Sequence, residues 1–132
     1  MKYLPAEMVD WYFPFNWDVK EVWEIEGEIE TRNIEDLEWH LDKPFWSSER
    51  GKGKIFDLRP RDVLNNPNTH FYHSARITDA DLRYPVCLTL YKGNEIIIDG
   101  IHRLAKAVSK SFKTIEVKVI NDCSFCKIAK NA

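Results

Sequence analysis

The sequence predicts a small mixed-sheet α+β domain with short helices and a tryptophan-rich N-terminal extension. Three patterns carry that reading. Val86-Cys87-Leu88-Thr89-Leu90 is a β-rich run, Lys92-Gly93-Asn94 is a turn, and Glu95-Ile96-Ile97-Ile98 is the returning strand of a hairpin. Leu104, Ala107 and Val108 then mark one face of a helix. Ile115-Glu116-Val117-Lys118-Val119-Ile120 alternates as a further strand. At 132 residues the chain is close to the size of one domain. Residues 1–75 form its Trp-rich portion, 76–120 the core that carries the three patterns, and 121–132 a C-terminal tail.

Taken in chain order, the first region holds all five tryptophans: Trp11, Trp17, Trp23, Trp39 and Trp46. Their apolar surface must be covered by the rest of the domain or by a protein partner. They share the segment with Pro, Asp and Glu and show no helical stripe, which favours packing within the chain. Val22 to Glu30 alternates in part and is read as containing a short strand. Asn33 can cap a helix from Ile34, with Ile34, Leu37 and Leu41 on one face and Glu35, Glu38 and His40 on the more exposed one, ending before Pro44. Ser47 to Lys54 reads as a polar surface loop. Pro60 opens a second short helix through Val63 and Leu64, which Asn65-Asn66-Pro67 closes. The stretch around His70 and His73 is rich in turn formers, Thr78 and Asp81 have the spacing of another helix start, and Pro85 returns the chain to an extended form.

Bulk properties exclude several classes. Hydrophobic residues make up 44% and charged residues 30%, as in ordinary globular proteins. The longest apolar stretch, Ile96-Ile97-Ile98, is far shorter than the roughly 18 residues of a membrane span. Pro5, Glu7 and Asp10 interrupt any signal-peptide core, so a cytoplasmic protein is expected. The 19 basic residues are balanced by 21 acidic ones, which leaves no global positive field for nucleic acid. The charge is nevertheless uneven. Residues 61–132 hold 11 basic and 7 acidic side chains, so an anion belongs with the second half. Cys87, Cys123 and Cys126 cannot all pair with one another, and reduced thiols are expected.

The chemistry concentrates at Asp99-Gly100-Ile101-His102-Arg103, where a strand turns into a helix. Gly100 permits a backbone conformation or a close approach that a side chain would hinder. The new helix presents unpaired N–H groups and the positive end of its dipole, an arrangement suited to phosphate. Arg103 can clamp an anion and His102 can donate a hydrogen bond or move a proton, while Lys106 extends the positive surface on His102's side of the helix. Asp99 could equally cap the helix, Gly100 fill a turn, and Arg103 pair with an acidic residue of the first half.

Residues 96–107, IIIDGIHRLAKA, resemble the signature of the superfamily that includes the N-terminal domain of chromosome-partitioning ParB proteins, sulfiredoxin and free-serine kinases. The resemblance runs back through Ala80 to Val86 and forward to Ile120, roughly a third of the chain. It implies a ParB/sulfiredoxin-like fold and nucleotide-phosphate binding by Gly100, Ile101, His102, Arg103 and Lys106, with Asp99 and His102 as the catalytic candidates. The implied cofactor is ATP, ADP or CTP, with or without Mg. Sulfiredoxin needs a cysteine immediately before the histidine, where this chain has Ile101, so its chemistry does not fit. Partitioning proteins carry a second arginine where His102 stands, and about a dozen residues after the last strand leave no room for their DNA-binding domain. The Asp-Gly-x-His-Arg form is similar to the serine-kinase branch. Its acidic base has candidates in Glu28, Glu30 and Asp57, none of which aligns clearly.

Other signals are weaker. Cys123-Ser124-Phe125-Cys126 has metal or redox spacing but lacks a second pair, which His70 and His73 could supply only if folding brought them close. His70 and His73 could instead line the pocket opposite Arg103, or pack as ordinary loop residues. Arg59 and Arg61 have Asp57 and Asp62 as near partners. Two functional classes follow: a nucleotide-binding domain with phosphotransfer or hydrolysis, and a non-catalytic module that recognises a protein through the Trp-rich half. Nucleic-acid binding by a patch of Arg76, Arg83, Arg103, Lys106 and Lys110 is the weakest reading.

Overall fold

The computed structural model describes residues 4–49 and 55–130 and is a small α+β fold. Its helices are α1 (Val19–Glu24), α2 (Ile34–Leu37), α3 (Pro60–Asn65), α4 (Phe71–Asp79), α5 (Ile101–Ser109) and α6 (Asp122–Cys126). The strands are β1 (Glu28–Asn33), β2 (Val86–Tyr91), β3 (Asn94–Asp99) and β4 (Thr114–Ile120), and short 3-10 turns cover Ala6–Met8 and Glu38–Asp42.

The three sequence patterns form where they were expected. β2 and β3 pair antiparallel across a two-residue turn whose Lys92 and Gly93 both take positive φ, 49° and 83°. That turn twists with the strands, as tight hairpins require. β4 returns parallel to β2, and β1 adds antiparallel to β4, giving the mixed order β1-β4-β2-β3. Thr89, buried in the sheet, donates its hydroxyl to the Ile120 carbonyl 2.7 Å away. Arg32 of β1 binds Glu95 of β3 at 2.8 Å. A flat sheet would separate these outer strands by about 14 Å, so this one coils.

Corrections come mainly from the first eighty residues. The span read as containing a short strand, Val22 to Glu30, does reach β1 at Glu28, but its first residues finish α1. Lys118 extends its ammonium over the end of α1 to the carbonyls of Val22 and Trp23, both at 3.3 Å. Ile34, Leu37 and Leu41 are buried as expected, but so is His40, fully. The His40 Nδ1 donates to the Leu37 carbonyl at 2.7 Å, and its Nε2 accepts the Ile97 N–H at 3.0 Å. Those two bonds explain the burial, since His40 closes the open edge of β3. Thr78 does not start a helix; it sits near the end of α4, which occupies the turn-rich stretch. Arg59 and Arg61 bind Glu7, Asp42 and Glu38 rather than their sequence neighbours. The C-terminal tail contains α6, whose fully buried Phe125 packs against Phe13, Phe15 and Trp17 at 4.8, 5.7 and 5.0 Å between ring centres. Of the predicted polar loop, residues 50–54 lie outside the described residues.

Among the tryptophans, Trp46 is buried and Trp11, Trp17 and Trp39 are half-buried. Trp23 stays 57% exposed but donates Nε1 to Asp99 Oδ2 at 2.8 Å. The buried cluster draws on residues from Met8 to Phe125. No described helix is long and apolar enough to cross a membrane.

Candidate functional site

β3 delivers the chain to the corner and α5 leaves it. Between them Gly100 takes φ 113° and ψ 20°, a left-handed conformation. A Cβ here would also stand 3.2 Å from Val86 Cγ2 and 3.3 Å from Val86 Cα, so glycine serves both purposes anticipated for it. As the N-cap residue it offers no side chain to the first-turn N–H groups of α5.

The corner is braced from two sides. Asp99 Oδ2 accepts from Trp23 Nε1 and from Arg103 Nη2, each at 2.8 Å. Arg103 also donates to the carbonyls of Pro85 and Tyr84, which ties the start of α5 to the entry of β2. Lys106 donates to the carbonyls of Thr78 and Ala80, at 2.8 and 2.7 Å, where α4 ends. A cation at a helix C-terminus satisfies orphan carbonyls and the dipole together. Arg103 and Lys106 therefore hold main chain, and neither lines the cavity that opens at the corner.

That cavity has a volume of about 640 Å³, within the range of small-molecule sites. Asp99, Gly100, Ile101 and His102 line one side of it. Tyr12, Trp17, Phe45 and Trp46 come from the Trp-rich region, and Tyr72, His73 and Arg76 from α4. Ser47 and Glu49 add polar groups to the lining, and Asn16, Val19, Ile97 and Ile98 also border it. The local cause of Trp46's position is a bridge to Leu58, with N–H to carbonyl distances of 3.1 and 2.9 Å.

His73 and His102 meet on this wall. The His73 Nδ1 lies 3.1 Å from the His102 Nε2, and the His73 Nε2 lies 2.8 Å from the Ser47 carbonyl oxygen. Both rings stack on Trp46. His70 precedes α4 and does not line the cavity. Glu28, Glu30 and Asp57 are likewise elsewhere: Glu30 pairs with Arg32 at 2.7 Å, and Asp57 accepts from Ser48.

Cys87 is packed in β2, and burial, reinforced by the Asp99 charge, pushes its thiol up from the ordinary value. Cys123 and Cys126 are exposed free thiols on α6. Among the described residues no three His, Cys, Asp or Glu side chains gather as a metal site.

Sequence reasoning missed Trp46, Tyr72, Arg76 and Glu49 as site residues. Trp46 had drawn attention only as apolar surface and Arg76 only as part of a basic patch; the Arg76 guanidinium lies 5.9 Å from the Tyr72 ring centre. No family model matches the chain, and no curated protein or solved structure matches it either.

Proposed function

We propose that this protein binds a nucleotide, or another small planar ligand carrying phosphate, in the cavity at the Asp99–His102 corner. The observation that carries the reading is the meeting, in one cavity, of aromatic walls and the uncapped start of α5. Aromatic faces stack a planar base, and a helix N-terminus entered through glycine favours an anion. Among the described residues Arg76 is the arginine of the lining, and it takes the clamping role that the motif suggested for Arg103. Magnesium, if bound, would arrive with the phosphates and lean on Asp99 or Glu49, since Mg²⁺ needs only one or two carboxylates beside phosphate oxygens. The likeness of residues 96–107 to the ParB/sulfiredoxin signature supports the same ligand class. Phosphotransfer or hydrolysis of that nucleotide is the activity such a site would support.

Ligand-observed NMR with CTP, ATP, ADP and GTP, each with and without magnesium, tests this. Selective binding that weakens about tenfold or more in Arg76→Ala is the expected result. Binding of none of the four, or binding indifferent to Arg76, would overturn it. A protein partner for the Trp-rich half is the second reading, favoured by the 57% exposure of Trp23. Protection of Trp23 fluorescence from quencher on adding a partner would favour that class.

A further inference from the structure

The two cavity histidines are joined in a way that dictates where their protons sit. A carbonyl oxygen only accepts, so His73 must donate from Nε2 to Ser47. A neutral His73 then presents its Nδ1 lone pair to His102, which must donate from Nε2 across the 3.1 Å gap. The ring centres are 5.4 Å apart and the planes differ by 17°. That places both nitrogens along the line of centres, so the bond is nearly straight and in plane. Trp46 forms the floor beneath the pair, its ring centre 4.5 Å from His73 and 4.1 Å from His102, with planes inclined by 4° and 14°. Rings stacked on opposite faces of the indole would stand about 7 Å apart or more, so the 5.4 Å separation puts both imidazoles on the same face.

We propose that His102 and His73 form a one-proton relay that gives this cavity acid–base chemistry toward a ligand hydroxyl or a water. His102 is the group that takes the proton, and His73 is the positioning residue that fixes its tautomer and shares the charge. This rests on the reading that the cavity holds a ligand. With Nε2 protonated, the basic atom of a neutral His102 is Nδ1. When Nδ1 takes the hydroxyl proton, the O–H electron pair stays on oxygen, which becomes the nucleophile. His102 becomes an imidazolium, its Nε2 proton moves toward His73 Nδ1, and His73 keeps its Nε2–H on Ser47. A second group that holds a histidine in one tautomer is the logic of hydrolase triads, here built from a neutral imidazole and a main-chain carbonyl. The indole face and the carboxylates of Glu49 and Asp99 favour the cation, while Arg76 on α4 and Arg103 and Lys106 on α5 oppose it. The phenol of Tyr72 also borders the cavity. Two imidazoliums in contact repel, so the pair takes up one proton readily and a second only with difficulty.

Full-length protein with ¹⁵N-labelled histidines decides the matter by long-range proton–nitrogen NMR between pH 5 and 9. In the native protein both neutral rings should carry their proton on Nε2, and the pair should take up a single proton in this range. His73→Phe keeps a flat ring for Trp46 but removes the acceptor. It should release His102 to a mixture of tautomers and move its midpoint by about one pH unit. A neutral His102 protonated on Nδ1, two independent titrations, or a His102 unchanged in His73→Phe would each overturn the relay. Should that variant not fold, the native tautomers alone decide. Adding CTP, ATP, ADP and GTP to the same samples separates the two readings. Nucleotide shifts without the tautomer pattern would retain the ligand and remove the relay. The pattern without nucleotide shifts would retain the relay and remove the nucleotide.

Discussion

Between Val86 and Ile120 the chain finds its partners close at hand: hairpin, helix and return strand each follow the last within a few residues. From Leu4 to Trp46 several side chains are held by remote ones instead. Trp23 bonds Asp99, Asp10 bonds Lys92, and Glu7 bonds Arg59, at separations of 76, 82 and 52 positions. The cavity lies where the two regions meet, with α4 closing a third side. The backbone of the site is thus encoded locally while its contents are delivered from afar.

The largest expected effect strikes the remote region. Phe125→Ala removes the side chain around which Phe13, Phe15 and Trp17 gather and should cost about 3–5 kcal/mol in urea unfolding. A cost under about 1 kcal/mol would mean that these aromatics are not secured by α6, and the contrast between the regions would fail.

His40 joins the regions and makes their union sensitive to acid. Burial lowers its imidazole from 6.5 to about 4. The unfolded chain therefore binds the proton more readily, and stability from this group is complete above about pH 6.5 and declines as pH falls toward 4. The loss amounts to about 3 kcal/mol. His40→Gln, whose side-chain oxygen can accept the Ile97 N–H, should flatten that part of the stability profile. Equal slopes for variant and native protein between pH 6.5 and 4 would remove His40 as the cause.

Two arginines sharpen the comparison further. Arg103→Ala leaves the carbonyl of Pro85 and the carboxylate of Asp99 short of a donor at mostly covered positions and should cost about 1–3 kcal/mol. Arg76→Ala, on the exposed side of α4, should stay within about 0.5 kcal/mol of the native protein. Reversal of that order in thermal unfolding would assign bracing to Arg76 and leave Arg103 for a ligand.

A gain rather than a loss tests the locally encoded region. Ser111 ends α5 with φ 61°, and the N–H groups of Ser111 and Phe112 bond back to Val108 and Ala107, both at 3.0 Å. This is a Schellman ending without its usual glycine. Ser111→Gly should raise stability by about 0.5–1 kcal/mol, and a loss would show that the serine side chain matters there.

Much of the scaffold could be read directly. The alternation of Ile115 to Ile120, the glycine of the hairpin and Pro60 at the start of α3 each act through neighbours in sequence. Gly100 was legible for the same reason, and His102 followed from its place one step beyond. His40 was misread because a helical wheel shows which residues share a face but not that an open strand edge will meet one of them. The α4 helix escaped notice because Phe71 and Tyr72 point outward while His73 is buried, which inverts the usual pattern.

By itself the sequence determined the hairpin, the corner with its left-handed glycine, and the helix and strand that follow. Those depend on backbone conformation and periodic burial over a few residues. Only the tertiary structure decided that Arg103 and Lys106 hold main chain, that Arg76 borders the cavity, and that His73 meets His102 over Trp46. Hydrogen bonds and ring stacking act over a few ångströms in space, whatever the distance along the chain. Which groups come within that reach is set by the packing of the whole core.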